Sequence, residues 1–468
     1  MKLSSPEVNY SKTVYIICLI GALGGLLFGL DQGFIANSLS TINSVYDLTI
    51  EQGEHYSAVL AWGGVLGALF SGVLSRKLGR KKVLILAGFA FSLLSSISAC
   101  LPIFFLLTLC RFGLGIAVGV ASFTVPLYLA ETSPTQIRGG MSTLFQIMIT
   151  VGIFLISFTN VFIVKIFGQN ASSLKLMFLV IVFFSLMMFV GSVVLPESPR
   201  WLVLKGDKES ALKVLSNLRS CKAEVNTELQ EILDSISHNQ DSSLNILKKC
   251  YFWRVLSVGI TMQMLQQLVG INMMICYAPT IFSYVKMTGV LHVLAIPTLN
   301  MLFTFPVIKW IEKWGRKKLL YIGSIIMMIT MFLNGLMFIY FSSIELPNYF
   351  STIILLFSAI IYIFGFSCSW GPVTWLICSE IFPLQGRELG MTITTIVSWL
   401  FSGIVMGNVL SFMNDNGNHS IFFLFSFFCL LSIFFLKVFV PETKGISLEN
   451  IEINLKKGRK IRDIGFYL

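Results

Sequence analysis

Two charged residues lie inside apolar stretches of the chain, where a charge is costly unless it has a partner. Asp31 lies in the first apolar run, and Arg111 lies in a later one. If both runs cross a membrane as helices, each residue lies roughly 12 Å from the same face, at about 1.5 Å per residue. The two charges can then pair, and the proton affinity of Asp31 would depend on how far Arg111 is withdrawn. Such a pair suits proton coupling to a conformational change; a static ion pair between two helices is the alternative.

A second group of polar side chains consists of amides within apolar runs, most of them in the second half of the chain. An amide offers both donors and an acceptor, which suits a polyhydroxylated ligand, and aromatic rings suit the apolar face of a sugar. Any single amide could instead bond a neighbouring helix. The amides are Gln146, Gln266, Gln267, Asn272 and Asn300, and the aromatic candidates are Tyr277, Phe366, Trp370, Trp375 and Trp399.

Charged motifs recur at about half the length of the chain. Gly79-Arg80-Lys81-Lys82 returns as Gly315-Arg316-Lys317-Lys318, and Pro196-Glu197-Ser198 returns as Pro441-Glu442-Thr443. Two similar halves inside a membrane are typical of transporters with a site between them. Opposite charges at matching places predict interhelical ion pairs that close the cytosolic side, although solvated charges that only set topology are the alternative. The predicted gate residues are Arg80, Glu131, Arg138, Glu197, Arg316, Glu380 and Arg387.

The amino-acid composition is typical of a membrane protein. The 468 residues are 55% hydrophobic and 12% charged, whereas soluble domains are roughly 25% charged. A helix of about 20 residues crosses the hydrocarbon core, and the apolar runs predict twelve such helices. They lie near 13–39, 56–75, 83–101, 103–130, 138–165, 175–195, 252–283, 288–309, 318–341, 349–380, 388–411 and 420–440.

The predicted fold is therefore an all-α membrane protein built from two six-helix halves with short cytosolic linker helices. Basic residues concentrate in the loops on one side, and short basic loops stay in the cytosol, so both termini are expected there. The predicted divisions are 1–198 for the first half, 199–250 for the linker helices, 251–441 for the second half and 442–468 for a basic tail.

The charge balance and the scattered polar residues argue against other classes of protein. The net charge of +11 is explained by the topological bias and by attraction to anionic lipid heads, so no nucleic-acid partner is expected. The nine cysteines and four histidines show no metal-like spacing. Paired carboxylates and a nucleophile with a base are lacking, so neither an enzyme nor a cofactor is expected.

Taken together, the motifs resemble the sugar porter family of the major facilitator superfamily over about residues 15–450. Within that family the likeness is greatest to bacterial galactose/proton and arabinose/proton symporters. The stretches that carry it are Gly25 to Asp31, Arg111 with Gly113 to Gly119, Pro126 to Glu131, Arg138-Gly139, Pro196 to Arg200, Gln266 to Asn272, Gly371 to Trp375 with Glu380, and Pro441 to Gly445.

The resemblance implies a twelve-helix alternating-access transporter in which Asp31 is the proton site and Arg111 its partner. Uniporters of the family carry a neutral residue at the position of Asp31, so a monomeric proton–monosaccharide symporter in the plasma membrane, here a bacterial inner membrane, is expected. A facilitative uniporter and a non-transporting sugar sensor are the alternatives. Cys276, Ser398 and Ser402 depart from the residues usual in the family and leave the sugar open. The implied sugar contacts are Gln146, Gln266, Gln267, Asn272, Asn300, Phe366, Trp375 and Trp399.

Overall fold

Twelve apolar runs of helical length fold into a bundle of long helices. A computed structural model describes residues 12–100, 103–134, 137–219, 222–237, 245–283, 290–342, 349–383, 386–446 and 448–465. The first half contains α1 (Lys12–Gly21), α2 (Leu23–Tyr46), α3 (Ile50–Leu78), α4 (Arg80–Cys100), α5 (Phe104–Thr132), α6 (Arg138–Phe167) and α7 (Ala171–Val194). Short helices follow: α8 (Pro199–Leu204), α9 (Lys208–Leu218) and α10 (Lys222–Ser237).

The second half repeats this arrangement with more interruptions. Its helices are α11 (Cys250–Leu268), a π-helical segment (Met273–Tyr277), α12 (Ala278–Ser283), α13 (Val290–Thr304), α14 (Val307–Trp314), α15 (Arg316–Ser342), α16 (Tyr349–Ser367), α17 (Trp370–Ile381), α18 (Arg387–Met406), α19 (Val409–Asn416), α20 (Ser420–Val438) and α21 (Leu448–Lys456). Two 3₁₀ turns, Asn245–Lys248 and Ile461–Asp463, flank this half.

The number of membrane spans agrees with the sequence. Among the described residues, 11 helical segments are long and apolar enough to cross a membrane, or 12 if a pair bent by 48° counts as one span. That pair is α13 and α14, and its break contains Pro306, which has no N–H to continue the helix. The predicted all-α membrane fold is confirmed, although the span predicted near 349–380 is divided into α16 and α17 just before Pro372.

Glycines allow helices of the first half to pack at backbone contact. A Cβ added to Gly29 on α2 would lie 1.9 Å from the carbonyl oxygen of Ile149 on α6, and one added to Gly63 on α3 would lie 2.1 Å from that of Phe112 on α5. Any larger residue would push these helix pairs apart. The small residues thus fix where α2 and α5 present Asp31 and Arg111.

The two halves meet along α3 and α18. We call the end of the bundle where Arg80 pairs with Glu131 and Arg316 pairs with Glu380 the charged end, and the other the opposite end. A Cβ at Gly72 would lie 3.2 Å from Thr392 towards the charged end, and one at Gly407 would lie 3.3 Å from Ala58 towards the opposite end. The halves therefore touch at both ends of this helix pair. The boundaries 1–198, 199–250, 251–441 and 442–468 stay predictions.

The linker between the halves is folded. Its helices α8, α9 and α10 share a small apolar core that includes Val203, Leu215 and Ile232. Arg219 donates to Glu228 at 2.7 and 2.8 Å and to the carbonyl oxygen of Thr132 at 3.0 Å. The linker is thereby tied to the end of α5, where the first-half charge cluster lies.

Candidate transport site

Asp31 and Arg111 meet inside the first half, as their depths in the sequence predict. Both are almost fully buried, and Arg111 Nη1 lies 3.3 Å from Asp31 Oδ1. A charge-assisted N–H···O bond is usually about 2.7–2.9 Å long and often bidentate with arginine. Here the contact is single and long, and neither Asp31 Oδ2 nor Arg111 Nη2 has a hydrogen-bond partner among the described residues. The pair is placed for attraction without being tightly locked.

Tyr56 on α3 supports the arginine from a second direction. Arg111 Nε donates to the carbonyl oxygen of Tyr56 at 3.0 Å, and the guanidinium carbon lies 5.2 Å from the centre of the Tyr56 ring. A cation over an aromatic face is stabilised by the ring quadrupole. Arg111 therefore keeps two contacts that do not depend on the charge of Asp31.

A chain of amides crosses from the first half to the second beside this pair. Gln32, which follows Asp31 on α2, donates through Nε2 to Asn272 Oδ1 at 2.7 Å. Asn272 Nδ2 donates to Gln267 Oε1 at 2.8 Å and to Ser402 Oγ at 2.9 Å, and Gln267 Nε2 donates to Ser398 Oγ at 2.9 Å. The predicted amides Gln267 and Asn272 are thus joined in one network that includes two serines of α18.

Gln266 faces α17 and leaves an acceptor free of protein partners. Its Nε2 donates to the carbonyl oxygens of Trp370 and Gly371 at 2.9 and 3.3 Å. Its Oε1 is buried and accepts no hydrogen bond from the described residues. Close by, a Cβ built at Gly371 would lie 3.3 Å from the Phe366 ring and 3.5 Å from Gln146 Nε2. The structure therefore brings Gln146, Gln266 and Phe366 together around the first turn of α17.

Two aromatic candidates lie at the boundary between the halves. Trp399 on α18 packs against α3, since a Cβ at Gly64 would lie 2.5 Å from its ring, and its ring centre is 4.9 Å from that of Phe28. Its Nε1 donates to Ser122 Oγ at 3.2 Å. Trp375 on α17 makes an edge contact with Phe145 of α6 at 6.5 Å. Both rings thus connect second-half helices to first-half helices beside the amide network.

Three of the predicted residues use their polar groups within the protein. Asn300 Oδ1 accepts from Ser367 Oγ at 2.6 Å, joining α13 to α16. Tyr277 is fully buried, and its hydroxyl donates to the carbonyl oxygen of Met406 at 2.5 Å. Trp370 Nε1 donates to Ser324 Oγ at 2.8 Å. Each of these bonds joins two helices, and for Asn300 this is the arrangement that the sequence left open as the alternative for a buried amide.

The first-half charge cluster is compact. Arg80 donates to Glu131 through Nε and Nη2 at 2.9 and 2.8 Å, and Ser198 Oγ donates to the same carboxylate at 2.5 Å. Glu197 accepts from the backbone N–H groups of Arg80 and Lys81 at 2.9 and 3.1 Å. A carboxylate at the start of a helix compensates the unpaired N–H groups there, so Glu197 fixes the start of α4.

The second-half cluster repeats this arrangement residue for residue. Arg316 Nη2 donates to Glu380 Oε1 at 2.9 Å, and Thr443 Oγ1 donates to Glu380 Oε2 at 2.5 Å. Glu442 accepts from the N–H groups of Arg316 and Lys317 at 2.9 and 3.0 Å at the start of α15. The repeated sequence motifs therefore correspond to repeated contacts.

Arg80 is a predicted gate residue that contacts the other half of the protein. Arg80 Nη2 also donates to Glu388 Oε1 at 3.2 Å, and Arg76 Nη2 donates to Glu388 Oε2 at 2.9 Å. Arg387 Nη2 lies 3.5 Å from the carbonyl oxygen of Phe382. Arg138 begins α6, but its side chain lies outside the described residues. At the charged end, Glu388 thus links α18 to α3 and α4.

Sequence reasoning missed Glu388, Gln32 and Glu54. Glu54 is fully buried on α3, and its carboxylate accepts hydrogen bonds from Leu410 N, Ser411 N and Ser411 Oγ at the first turn of α19. Helix α19 has no side-chain cap of its own. Each missed residue contacts the other half of the protein. Gln32 could have been noticed as an amide directly beside Asp31, whereas no spacing indicates the partners of Glu54 and Glu388.

Clusters of potential metal ligands are absent from the part of the chain that the structure describes. It contains no group of three or more His, Cys, Asp or Glu side chains that could hold an ion. The described cysteines are free, and most of them are buried.

Known proteins resemble the chain over nearly its whole length. The galactose-proton symporter of Escherichia coli K12 is 37% identical over 455 residues, covering 96% of each chain, and the arabinose-proton symporter of the same strain is 33% identical, covering 96% of this chain and 95% of the other. A solved structure of the major facilitator superfamily proton:xylose symporter XylE, bound to 6-bromo-6-deoxy-D-glucose, superposes with a TM-score of 0.83 at 28% identity, covering 94% of this chain and 98% of that one. Residues 17–455 match the family described as Sugar (and other) transporter. The chain is therefore a multi-pass transporter of that family.

Proposed function

We propose that the protein is a proton-coupled monosaccharide symporter that works by alternating access. The observation that carries the proposal is the position of the buried Asp31–Arg111 pair next to an amide chain that links the halves. A proton site and a polar site suited to hydroxyl groups are thereby neighbours. The proposed coupling ion is the proton, and no other cofactor is proposed.

Asp31 is the proposed proton carrier, and Arg111 is its partner. Protonation removes the charge of Asp31 and weakens its attraction for the guanidinium, which keeps its contacts to the carbonyl and ring of Tyr56. Loss of the proton restores the attraction. Because the pair is buried, each change alters the stability of the surrounding helices more than it would in water. The charge of Asp31 can therefore bias α2 between two positions.

The sugar is proposed to bind between the halves near mid-membrane. Gln266 Oε1 offers an unused acceptor, and the amides of Gln267 and Asn272 can exchange their mutual bonds for bonds to hydroxyl groups. Gln146, Phe366, Trp375 and Trp399 would complete the site. We propose that Asn300 and Tyr277 contribute by positioning their helices, since their polar groups bond within the protein.

Alternating access requires contacts that can open at each end. The Arg76–Glu388 and Arg80–Glu388 pairs at the charged end, and the Glu54 contact to α19 at the opposite end, both join the halves. We propose that the two sets open alternately, with Glu131, Glu197, Arg316, Glu380, Arg138 and Arg387 forming the rest of the charged-end gate. The two halves that move are the predicted 1–198 and 251–441.

Location and partners follow from the basic loops and the relatives. We propose that the charged end and both termini face the cytosol of a bacterial cell, with the protein in the inner membrane as a monomer. Basic residues at that end would contact anionic lipid heads. Relatives named for galactose and arabinose support a hexose or pentose as substrate, and D-galactose is the first sugar to test.

Proteoliposomes with an inward proton gradient test the proposal. The wild-type protein should accumulate the sugar, because one proton charge contributes about 2.3 kcal/mol per 100 mV, or roughly 50-fold accumulation at tight coupling. Asp31→Asn should abolish accumulation and retain sugar exchange. The matched control is Asp47→Asn, at the exposed end of the same helix in a left-handed conformation that asparagine tolerates.

Each alternative function gives a different result. Full concentrative uptake by the Asp31→Asn variant would refute the proposed mechanism. Sugar uptake by the wild type without alkalinisation of the outside medium would identify a uniporter. Sugar binding without any flux would identify a sensor. A competition panel of D-galactose, D-glucose, L-arabinose and D-xylose then establishes the preferred substrate.

A further inference from the structure

The side chain of Gln32 on α2 donates across the interface to Asn272, a proposed sugar amide, and Gln32 is the direct neighbour of Asp31. Successive residues of an α-helix are rotated by about 100°. Asp31 therefore faces Arg111 within the first half, while Gln32 faces the second half. A displacement of α2 that moves one side chain must move the other.

The contact with Asn272 fixes the orientation of that amide. Asn272 Nδ2 already donates to Gln267 Oε1 and Ser402 Oγ, so its Oδ1 is left to accept from Gln32 Nε2 at 2.7 Å. A flipped Asn272 amide would place N–H groups against the N–H groups of Gln32. Gln32 and Gln267 together therefore determine which group Asn272 can offer to a ligand.

A second contact holds Gln32 from the same segment. The thiol of Cys276, four residues after Asn272, donates to the backbone carbonyl oxygen of Gln32 at 3.6 Å. Asn272 and Cys276 are both buried; Asn272 directly precedes the π-helical segment, and Cys276 lies within it. Such segments are frequently found at functional sites. Side chain and backbone of Gln32 are thus both engaged where the second-half helix departs from α-helical geometry.

We infer that Gln32 is a positioning residue that transmits the state of the Asp31–Arg111 pair to the sugar amide Asn272. The inference rests on the proposed symport function. Protonation of Asp31 shifts α2 relative to α5, Gln32 moves with it, and the Asn272 amide becomes available to a hydroxyl group. Linkage requires that sugar binding then favours proton binding by the same factor.

Other titratable groups surround the Asp31–Arg111 pair, but within the described residues they do not link that pair to the side-chain amide of Asn272. Tyr56 on α3 and Arg111 on α5 lie on the first-half side, and Cys276 and Tyr277 lie on the second-half side. Further towards the opposite end lie Tyr46, Glu54, Lys165 of α6 and Lys175 of α7. Of all these groups, only the thiol of Cys276 has a hydrogen bond to Gln32 in the described structure, and that bond reaches the backbone of Gln32.

Equilibrium binding of radiolabelled D-galactose at pH 6 and pH 8 tests the role of Gln32; if D-galactose does not bind, the sugar selected by the competition panel replaces it. Allosteric coupling typically changes affinity by about 5- to 150-fold, so the wild type should bind at least about fivefold more tightly at pH 6. Gln32→Met keeps the length of the side chain and removes the donor. In the Gln32→Met variant, the ratio of the affinity at pH 6 to the affinity at pH 8 should fall below about twofold, while the variant still binds sugar. A loss of affinity that is equal at both pH values would overturn the inference, since a merely structural or direct contact predicts that result.

Controls separate this inference from the proposed function. Gln169→Met removes an exposed glutamine that contacts Ser40 at 3.4 Å, and its ratio should equal that of the wild type. If Asp31→Asn abolishes the ratio but Gln32→Met retains it, the symport proposal stands and the role of Gln32 is refuted. A wild-type ratio of one refutes the role of Gln32, while the accumulation assay with Asp31→Asn still decides the symport proposal. If Gln32→Met does not fold, Gln32→Asn, with a shorter amide, should show a reduced ratio, and an unchanged ratio refutes the role.

Discussion

Substitution of Glu54 provides a direct test of how the two halves close at the opposite end of the bundle. Its carboxylate from the first half accepts three hydrogen bonds from the first turn of α19 in the second half, and Glu54 itself is fully buried. Because α19 has no side-chain cap of its own, Glu54 supplies the missing acceptor. Glu54→Gln retains the size of the side chain but removes the charge and replaces one acceptor oxygen with a donor.

The expected effect follows from those contacts. Hydrogen bonds to a charged group contribute about 1.5–3 kcal/mol each, and the substitution removes at least one and weakens the others. Closure should lose about 2–3 kcal/mol, which corresponds to roughly 30- to 150-fold more opening at about 1.4 kcal/mol per tenfold. Amide hydrogen exchange at Leu410 and Ser411 should accelerate by that factor, because their N–H groups are the donors.

Two comparisons make this measurement decisive. Glu51→Gln changes an exposed glutamate on the same helix, 3.9 Å from His55, and should leave exchange at α19 unchanged. Exchange at the start of α4, near the charged-end cluster, should not accelerate in either variant. Exchange at Leu410 and Ser411 within about twofold of the wild type in Glu54→Gln would refute the role of Glu54 in closure.

Two further predictions concern stability and are measured by thermal unfolding of the purified protein. Arg80→Met should lower the free energy of unfolding by about 3–5 kcal/mol, because it leaves Glu131 buried without its cation. Arg76→Met should lower it by no more than about 1 kcal/mol, since the Arg76 side chain is 59% exposed. Equal losses of stability in the two variants would contradict this interpretation. Gly29→Ala should lower the free energy of unfolding by at least about 1–3 kcal/mol or prevent folding, because its Cβ would lie 1.9 Å from a backbone carbonyl oxygen of α6. In the control Gly140→Ala, the nearest neighbour of the new Cβ would lie 3.8 Å away, at ordinary contact distance. A Gly29→Ala variant as stable as the wild type would show that these helices can separate.

The sequence predicted the residues whose burial is costly. A charge in an apolar run needs a partner, so Asp31 and Arg111 could be paired from depth alone. The duplicated motifs likewise predicted that Arg80 and Arg316 would have similar surroundings. In both cases the argument needs only a helix direction and a position along it, and these are encoded locally.

Contacts between the halves could not be predicted in the same way. Whether Asn272 meets Gln32, or Glu54 meets α19, depends on the rotation of helices that are more than 200 residues apart in sequence. Tyr277 illustrates the same limit: its aromatic ring would suit the apolar face of a sugar, yet the side chain is fully buried and its hydroxyl donates to the carbonyl oxygen of Met406. The sequence shows that a polar group needs a partner but not which partner is within reach.

The π-helical segment makes the geometry of the transport site depend on the number of residues in this stretch of the chain. A π turn accommodates one residue more than an α turn, and the segment Met273–Tyr277 begins directly after Asn272 and follows Gly270, whose φ is +97°. Deleting one residue there would allow a regular α-helix, yet every later side chain would turn by about 100°. Tyr277 would then leave Met406, and α12 would face a different neighbour. Natural variation in this segment should therefore be tolerated as exchange of side chains far more readily than as gain or loss of a residue.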